Sequence, residues 1–187
     1  MSDLDVIYLS AIEEDLLEAF QKTCGDISLV EVHEGSILDL EVDAIVSPAN
    51  SFGFMDGGID LLYSESLGWH IQDRLQEKIC AYHPTMRVPM VLQDTVNPYL
   101  AARATFLLRD HGIVREEGLE TEKVSNCVTS IAFPGLGTGV GRVDPIAIEE
   151  FVLGEPRFPE SWRDAQSTHQ FLYGSSPRDL QFIKYDT

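Results

Sequence analysis

At 187 residues and 44% hydrophobic content, the chain can bury one substantial core and is short for two, so one domain over 1–187 is expected, with its core from about 5 to 153 and a tail over 154–187. Its 31 Asp and Glu against 13 Lys and Arg give a formal charge of −18, and no basic cluster exists to neutralise a phosphate backbone, which excludes an extended nucleic-acid footprint. Three widely spaced cysteines (Cys24, Cys80, Cys127) argue against a disulfide framework or zinc site and read as reduced core residues; with no basic-then-apolar leader and no run of ~20 apolar residues, a soluble cytoplasmic protein away from membranes is expected.

In chain order, residues 5–9 read as a first strand and 13–23 as a helix, on the spacing of Leu16, Leu17 and Phe20. Ser10 and Glu13 are placed for a capping box ahead of that helix. Residues 27–32 alternate as a second strand, and 43–46 form a short third one. Helical spacing then runs from Gly57 or Ile59 to about Tyr82, broken near Gly68, and Pro84 and Pro89 punctuate an extended segment that pairs around 88–92. Asn97-Pro98 sets a capping side chain before a proline at the first helical position, opening a helix that reaches about Asp110 and stops at Gly112. Residues 124–133 read as a strand, 134–141 as a glycine-rich turn, and Asp144-Pro145 as the start of a helix whose apolar face is Ile146, Ile148, Phe151 and Val152. Residues 154–187 lack clear periodicity, as a docked or disordered tail would. Strands alternating with helices predict an α/β fold, a three-layer α/β/α sandwich on a mixed, mostly parallel central sheet.

Two loops carry the chemistry. Between Val42 and Leu62 an apolar run passes through a turn-rich stretch to Gly57-Gly58 and a new apolar pattern, as when a buried parallel strand hands over to a helix. The strand's carboxyl end leaves N–H groups unpaired, and the helix start adds donors and the positive end of its dipole. Phosphate fits there without any basic side chain. The second loop, from Phe133 to Arg142, has glycines at 135, 137, 139 and 141 after an apolar strand, which lets a diphosphate approach the main chain. A tight connection explains such a turn equally well on its own, and it lacks both the acidic residue of a dinucleotide fingerprint and the lysine of a P-loop.

In combination the loops resemble the macrodomain family, which binds ADP-ribose. The family's Asp-Ala-Ile-Val-Asn-Ala-Ala-Asn corresponds to Asp43-Ala44-Ile45-Val46-Ser47-Pro48-Ala49-Asn50, followed by Gly57-Gly58-Ile59-Asp60. The resemblance implies that Asn50 holds the distal ribose and that Asp60, ten positions on, positions or activates water at the anomeric carbon, as in hydrolytic members. It places Ile37, Gly57, Gly58 and Ile59 at the ligand, and Phe133, Gly135, Leu136, Gly137, Thr138, Gly139, Val140 and Gly141 around the second phosphate loop. The implied activity is ADP-ribose binding with hydrolysis of ADP-ribosyl or O-acyl-ADP-ribose linkages, without metal or cofactor. The alternatives are a binding module without turnover and a phosphatase acting on phosphorylated ADP-ribose. Apart from the resemblance, Asp60 reads equally as a first-turn residue that complements the helix dipole.

Three departures stand out. Ser36 occupies the position at which the family has an aspartate that reads adenine, and Ser47-Pro48 replaces Asn-Ala, removing an amide and a main-chain donor. The loop from Phe52 to Asp56 carries two aromatics and Met55, placed either to cover the ribose or to close over the core. The five histidines lack metal spacing and read as structural or exposed, with His70 the one within reach of the distal ribose.

Overall fold

The computed structural model describes residues 4–48, 50, 52–82, 97–114, 122–139 and 181–182, the side chains of 81–82, 97–100 and 181–182 excepted. Along the chain run β1 (Val6–Ala11), α1 (Glu14–Cys24), β2 (Val30–Glu34), a single 3-10 turn (Ile37–Asp39), β3 (Ala44–Ile45), α2 (Gly58–Leu67) and α3 (His70–Tyr82). They are followed by α4 (Asn97–His111), β4 (Ile113–Val114), β5 (Glu122–Lys123), α5 (Val124–Cys127), β6 (Ser130–Phe133) and β7 (Gln181–Phe182).

The central sheet has the order β2-β1-β6-β3 with every pairing parallel, while in a small second sheet β4 runs antiparallel to β5 and parallel to β7. Register sets Tyr8 beside Ala132 and Ala132 beside Ile45, and the row below sets Ile7, Ile131 and Ala44 together. Because side chains alternate along a strand, these rows face opposite ways. Tyr8, Ala132 and Ile45 pack with Ile37, Met55, Tyr63 and Ile71, which brings α2, α3 and the 3-10 turn onto one face. Ile7, Ile131, Phe133 and Val46 meet Phe106 of α4 and Val124 on the other, where Leu16 and Phe20 of α1 also pack against Leu9. The outcome is the expected α/β sandwich, a mostly parallel sheet with helices on both faces.

Glycines punctuate it as the pattern predicts. Gly68, at φ 99°, ends α2 with its N–H on the Ser64 carbonyl at 3.0 Å, and the Gly112 N–H closes α4 on Leu108 at 2.7 Å. Four expectations are corrected. Ser10 is no helix cap: it is still inside β1, its hydroxyl donates to the Gly35 carbonyl at 3.0 Å, and α1 starts after Glu13 without a side-chain cap. The second strand starts at Val30 and not Ile27, which stands exposed in a turn. Residues 124–127 form a helical turn ahead of β6, a confusion that short apolar runs invite. Cys24 is buried but Cys80 lies on the exposed side of α3. Gln181–Phe182, in the tail, pairs with β4, a segment too short to show a period. The strand expected at 88–92 and the helix from Asp144 lie outside the described residues.

β3 is only two residues long and is held by more than its ladder. The Asp43 carboxylate, through Oδ2, accepts from the N–H groups of Thr129 and Ser130 at 2.8 and 2.9 Å and from their hydroxyls at 3.2 and 2.9 Å. The Asp43 N–H in turn donates to Ser130 Oγ at 2.8 Å. Partial burial raises the Asp43 pKa, but the four donors outweigh it and leave the carboxyl below its ordinary value. A depressed folded pKa adds stability that is present above the unfolded pKa and lost as pH falls through the folded one. Asp43→Ala is therefore expected to cost about 1–2 kcal/mol at neutral pH, the low part of the range for bonds to a charged group because the site is exposed. Denaturant titrations should show the difference from wild type shrinking in acid.

Candidate functional site

Because β3 and β6 are parallel neighbours, both glycine loops leave the same edge of the sheet side by side. The Val46 N–H still reaches the Ala132 carbonyl at 2.9 Å, after which the chain leaves the sheet at Ser47 beyond β3 and at Pro134 beyond β6. The carboxyl edge of such a sheet is where ligands bind in open α/β folds.

Gly57 caps α2, and among the described residues nothing outside the adjoining main chain lies within 4 Å of the place a Cβ would take on Gly57, Gly58 or Gly139. Gly58 (φ 57°) and Gly137 (φ 78°) occupy the left-handed region, so glycine is needed there for conformation. At Gly57 and Gly139 no neighbour among the described residues needs the room, and both glycines are exposed. Gly135 differs, since a Cβ would run into the Thr138 hydroxyl and stand 2.6 Å from Leu16 Cδ2. The first turn of α2 adds N–H groups that have no partner within the helix.

Asp60, Tyr63 and Ser64 share the inner face of α2 at the spacing that brings helical side chains together, and all three are buried. Each holds part of the loop: the Ser47 hydroxyl donates to Asp60 Oδ1 at 2.7 Å, the Tyr63 hydroxyl to the Val46 carbonyl at 3.3 Å, and the Ser64 hydroxyl to the Met55 carbonyl at 2.8 Å. With Asp60 7% exposed, burial pushes its carboxyl above the ordinary range, and the Ser47 bond opposes this without cancelling it. The Tyr63 hydroxyl is pushed up by burial and then by the neighbouring Asp60 charge.

Asn50 is largely spent on its own loop. Its Oδ1 accepts from the N–H groups of Phe52 and Phe54 at 3.0 and 3.2 Å, and its Nδ2 donates to the Phe54 carbonyl at 2.7 Å. That uses both lone pairs and leaves one N–H. The loop leans on α3, where Gly53 (φ 70°) sits against Leu75, Gln76 and Ile79 and the Met55 N–H donates to Gln72 Oε1 at 2.8 Å. Met55 thus closes over the core, while Phe54 stands out.

The structure brings the glycines and Asp60 to one edge and sends most apolar candidates inward. Ile37 is buried with Met55 and Tyr63, Ile59 packs against the same cluster, and Leu136 and Phe133 join the other core, the Phe133 ring centred 5.6 Å from that of Phe106. Thr138 is half-buried and His70, the first residue of α3, is exposed, whereas Val140 and Gly141 lie outside the described residues. Ser36 caps the 3-10 turn, its Oγ accepting from the Leu38 N–H at 3.2 Å. Ser47, Tyr63 and Ser64 were not among the sequence candidates. Extending the strand alternation from Ile45 to Ser47, and the helix spacing from Asp60, would have found them. Among the described residues no three His, Cys, Asp or Glu side chains come together to hold a metal, and no helix is long and apolar enough to cross a membrane.

No family model matches the chain. It is 29% identical over 133 residues to an uncharacterized protein of Aquifex aeolicus, covering 61% of this chain and 72% of that one. It is 25% identical over 171 residues to a macro domain-containing protein of Listeria monocytogenes, covering 84% of this chain and 90% of that one.

The raised Asp60 carboxyl fixes a sign. A folded pKa above the unfolded one favours the fold in acid, and that contribution is lost as pH rises through the folded value. Asp60→Asn keeps an oxygen for the Ser47 hydroxyl and removes the buried charge. Its melting temperature at neutral pH should equal that of wild type or exceed it by about 2–4 °C per kcal/mol gained, the gain vanishing below the unfolded pKa. Calorimetric scans of both proteins across pH check this.

Proposed function

We propose that the chain is a macrodomain, folded as one domain, and that the edge formed by β3 and β6 binds ADP-ribose. The diphosphate lies on main-chain N–H groups of the two glycine loops, and the first turn of α2 and the loop that Asn50 braces face the distal ribose. The observation that supports this best is the pair of adjacent loops whose glycines, Gly57, Gly58 and Gly139, have open space among the described residues where a Cβ would stand. The similarity to a macro domain-containing protein over most of both chains supports it independently.

Asp60 favours turnover as a second step. A carboxylate with a raised pKa beside the glycine pair suits a general base, whose efficiency improves as its pKa nears the working pH. Water adds to the anomeric carbon as the bond to the departing oxygen breaks, Asp60 takes the water proton, and the leaving group departs as a carboxylate.

Calorimetric titration with free ADP-ribose tests the first step. Gly57→Ala and Gly139→Ala should stay within about 1 kcal/mol of wild-type stability, because the added Cβ meets no neighbour among the described residues, while ADP-ribose binding weakens tenfold or more. No binding by wild type at millimolar ADP-ribose would overturn the assignment. With an ADP-ribosylated carboxylate substrate, turnover by wild type that is lost in Asp60→Ala, with binding kept, supports the hydrolase; binding without turnover leaves the module.

A further inference from the structure

The loop that carries Asn50 also presents an aromatic ring for which the diphosphate cradle has no use. Phe54 is 50% exposed although Gly53 and Met55 on either side of it are buried. Exposed aromatics on loops ordinarily cost entropy to immobilise when they bind. This one is already held. Its N–H donates to Asn50 Oδ1 and its carbonyl accepts from Asn50 Nδ2, so the Asn50 amide pairs with the Phe54 main chain much as a neighbouring strand would. Gly53 is wedged against α3, Met55 is tied through its N–H to Gln72 and through its carbonyl to Ser64, and the Phe52 ring stands 6.3 Å from that of Phe54 at 36°. A small, stiff aromatic face is thus mounted three residues before Gly57.

We propose that Phe54 is the residue with which this loop recognises the distal pentose of its ligand, the ring packing on the C–H face of the sugar, and that Asn50 acts through it as a positioning residue. The proposal rests on the ADP-ribose assignment. A pentose directs its hydroxyls sideways and presents C–H groups from its faces, and a rigid aromatic offers such a face large contact area at little entropic cost. Asn50, with its oxygen fully engaged inside the loop, has little left for direct contact and much influence over where Phe54 stands.

The test is a double-mutant cycle read by calorimetry with ADP-ribose and with ADP, which lacks the distal pentose. Phe54→Ala keeps every main-chain bond of the loop and is expected to weaken ADP-ribose binding about five- to tenfold while leaving ADP unchanged; Phe54→Tyr should bind as wild type does. Asn50→Ala should show the same loss as Phe54→Ala, and the double variant no more than either. Unchanged ADP-ribose binding by Phe54→Ala, or an equal loss for ADP, overturns the role of Phe54 and leaves the cleft assignment standing. Losses that multiply in the double variant overturn the role of Asn50. If Asn50→Ala melts well below wild type, the Phe54 variants with the two ligands decide. Wild type that binds neither ligand removes the cleft assignment and this proposal with it.

Discussion

The carboxylate of Asp43, bonded to Thr129 and Ser130 at the entry of β6, is the constraint on which the carboxyl edge of the sheet depends. A two-residue strand at the edge of a sheet has too few ladder bonds to choose its own register. By tying the entry of β3 to the entry of β6, Asp43 chooses it before the ladder begins. A slip of one residue would turn every side chain to the opposite face. Val46 would then face α2, and the Ser47 hydroxyl would be driven among Val124, Val128 and Ile131, while Asp60 lost its partner. The placement of the glycine loops, and of the carboxylate beneath one of them, follows from this link at the far end of the strand.

The inner face of α2 shows what that placement costs. A helix packed on a core ordinarily buries apolar side chains; here a carboxylate, a phenol and a hydroxyl are buried, each tied to the loop between β3 and α2. Among the described residues Asp60 is met by a hydroxyl and not by a cation, so its charge is only partly compensated there. Leu62 and Leu67, which could have served the core, are exposed. A loop held by directed bonds keeps one shape, which apolar contact alone enforces less strictly. Local rules broken together in one place mark where function has displaced stability.

The architecture was legible because its signals are local. Gly68 and Gly112 stop their helices where the punctuation says, Asn97-Pro98 opens α4, and apolar runs place β1, β3 and α2 within a few residues. What escaped is governed by distant partners. Ser10 reads as a cap until its bond to Gly35, 25 residues away, claims the hydroxyl. Residues 124–127 are apolar enough for strand or helix, and only packing against α4 chooses. At the site, the family resemblance supplied positions but not side-chain directions, so Ile37, Phe133 and Leu136 were expected at the ligand and are found in the core. The strand alternation reaches Ser47 and the helix spacing reaches Tyr63 and Ser64, but that Ser47 meets Asp60 depends on the direction of α2, which neither local pattern holds.

The proposed cleft also resolves a tension in the composition. A chain with a formal charge of −18 repels phosphate at long range, yet the ligand assigned to it carries a diphosphate. Screening limits that repulsion to about 8 Å at physiological salt, whereas main-chain donors act at hydrogen-bond distance. A compact diphosphate therefore feels chiefly the loops. A nucleic acid, extending tens of ångströms across the surface, would feel the summed acidity with no basic residues to offset it. Recognition by bare glycine backbone on an acidic protein thus favours a small phosphorylated ligand over a polymer, and it does so by geometry where lysines would have attracted both.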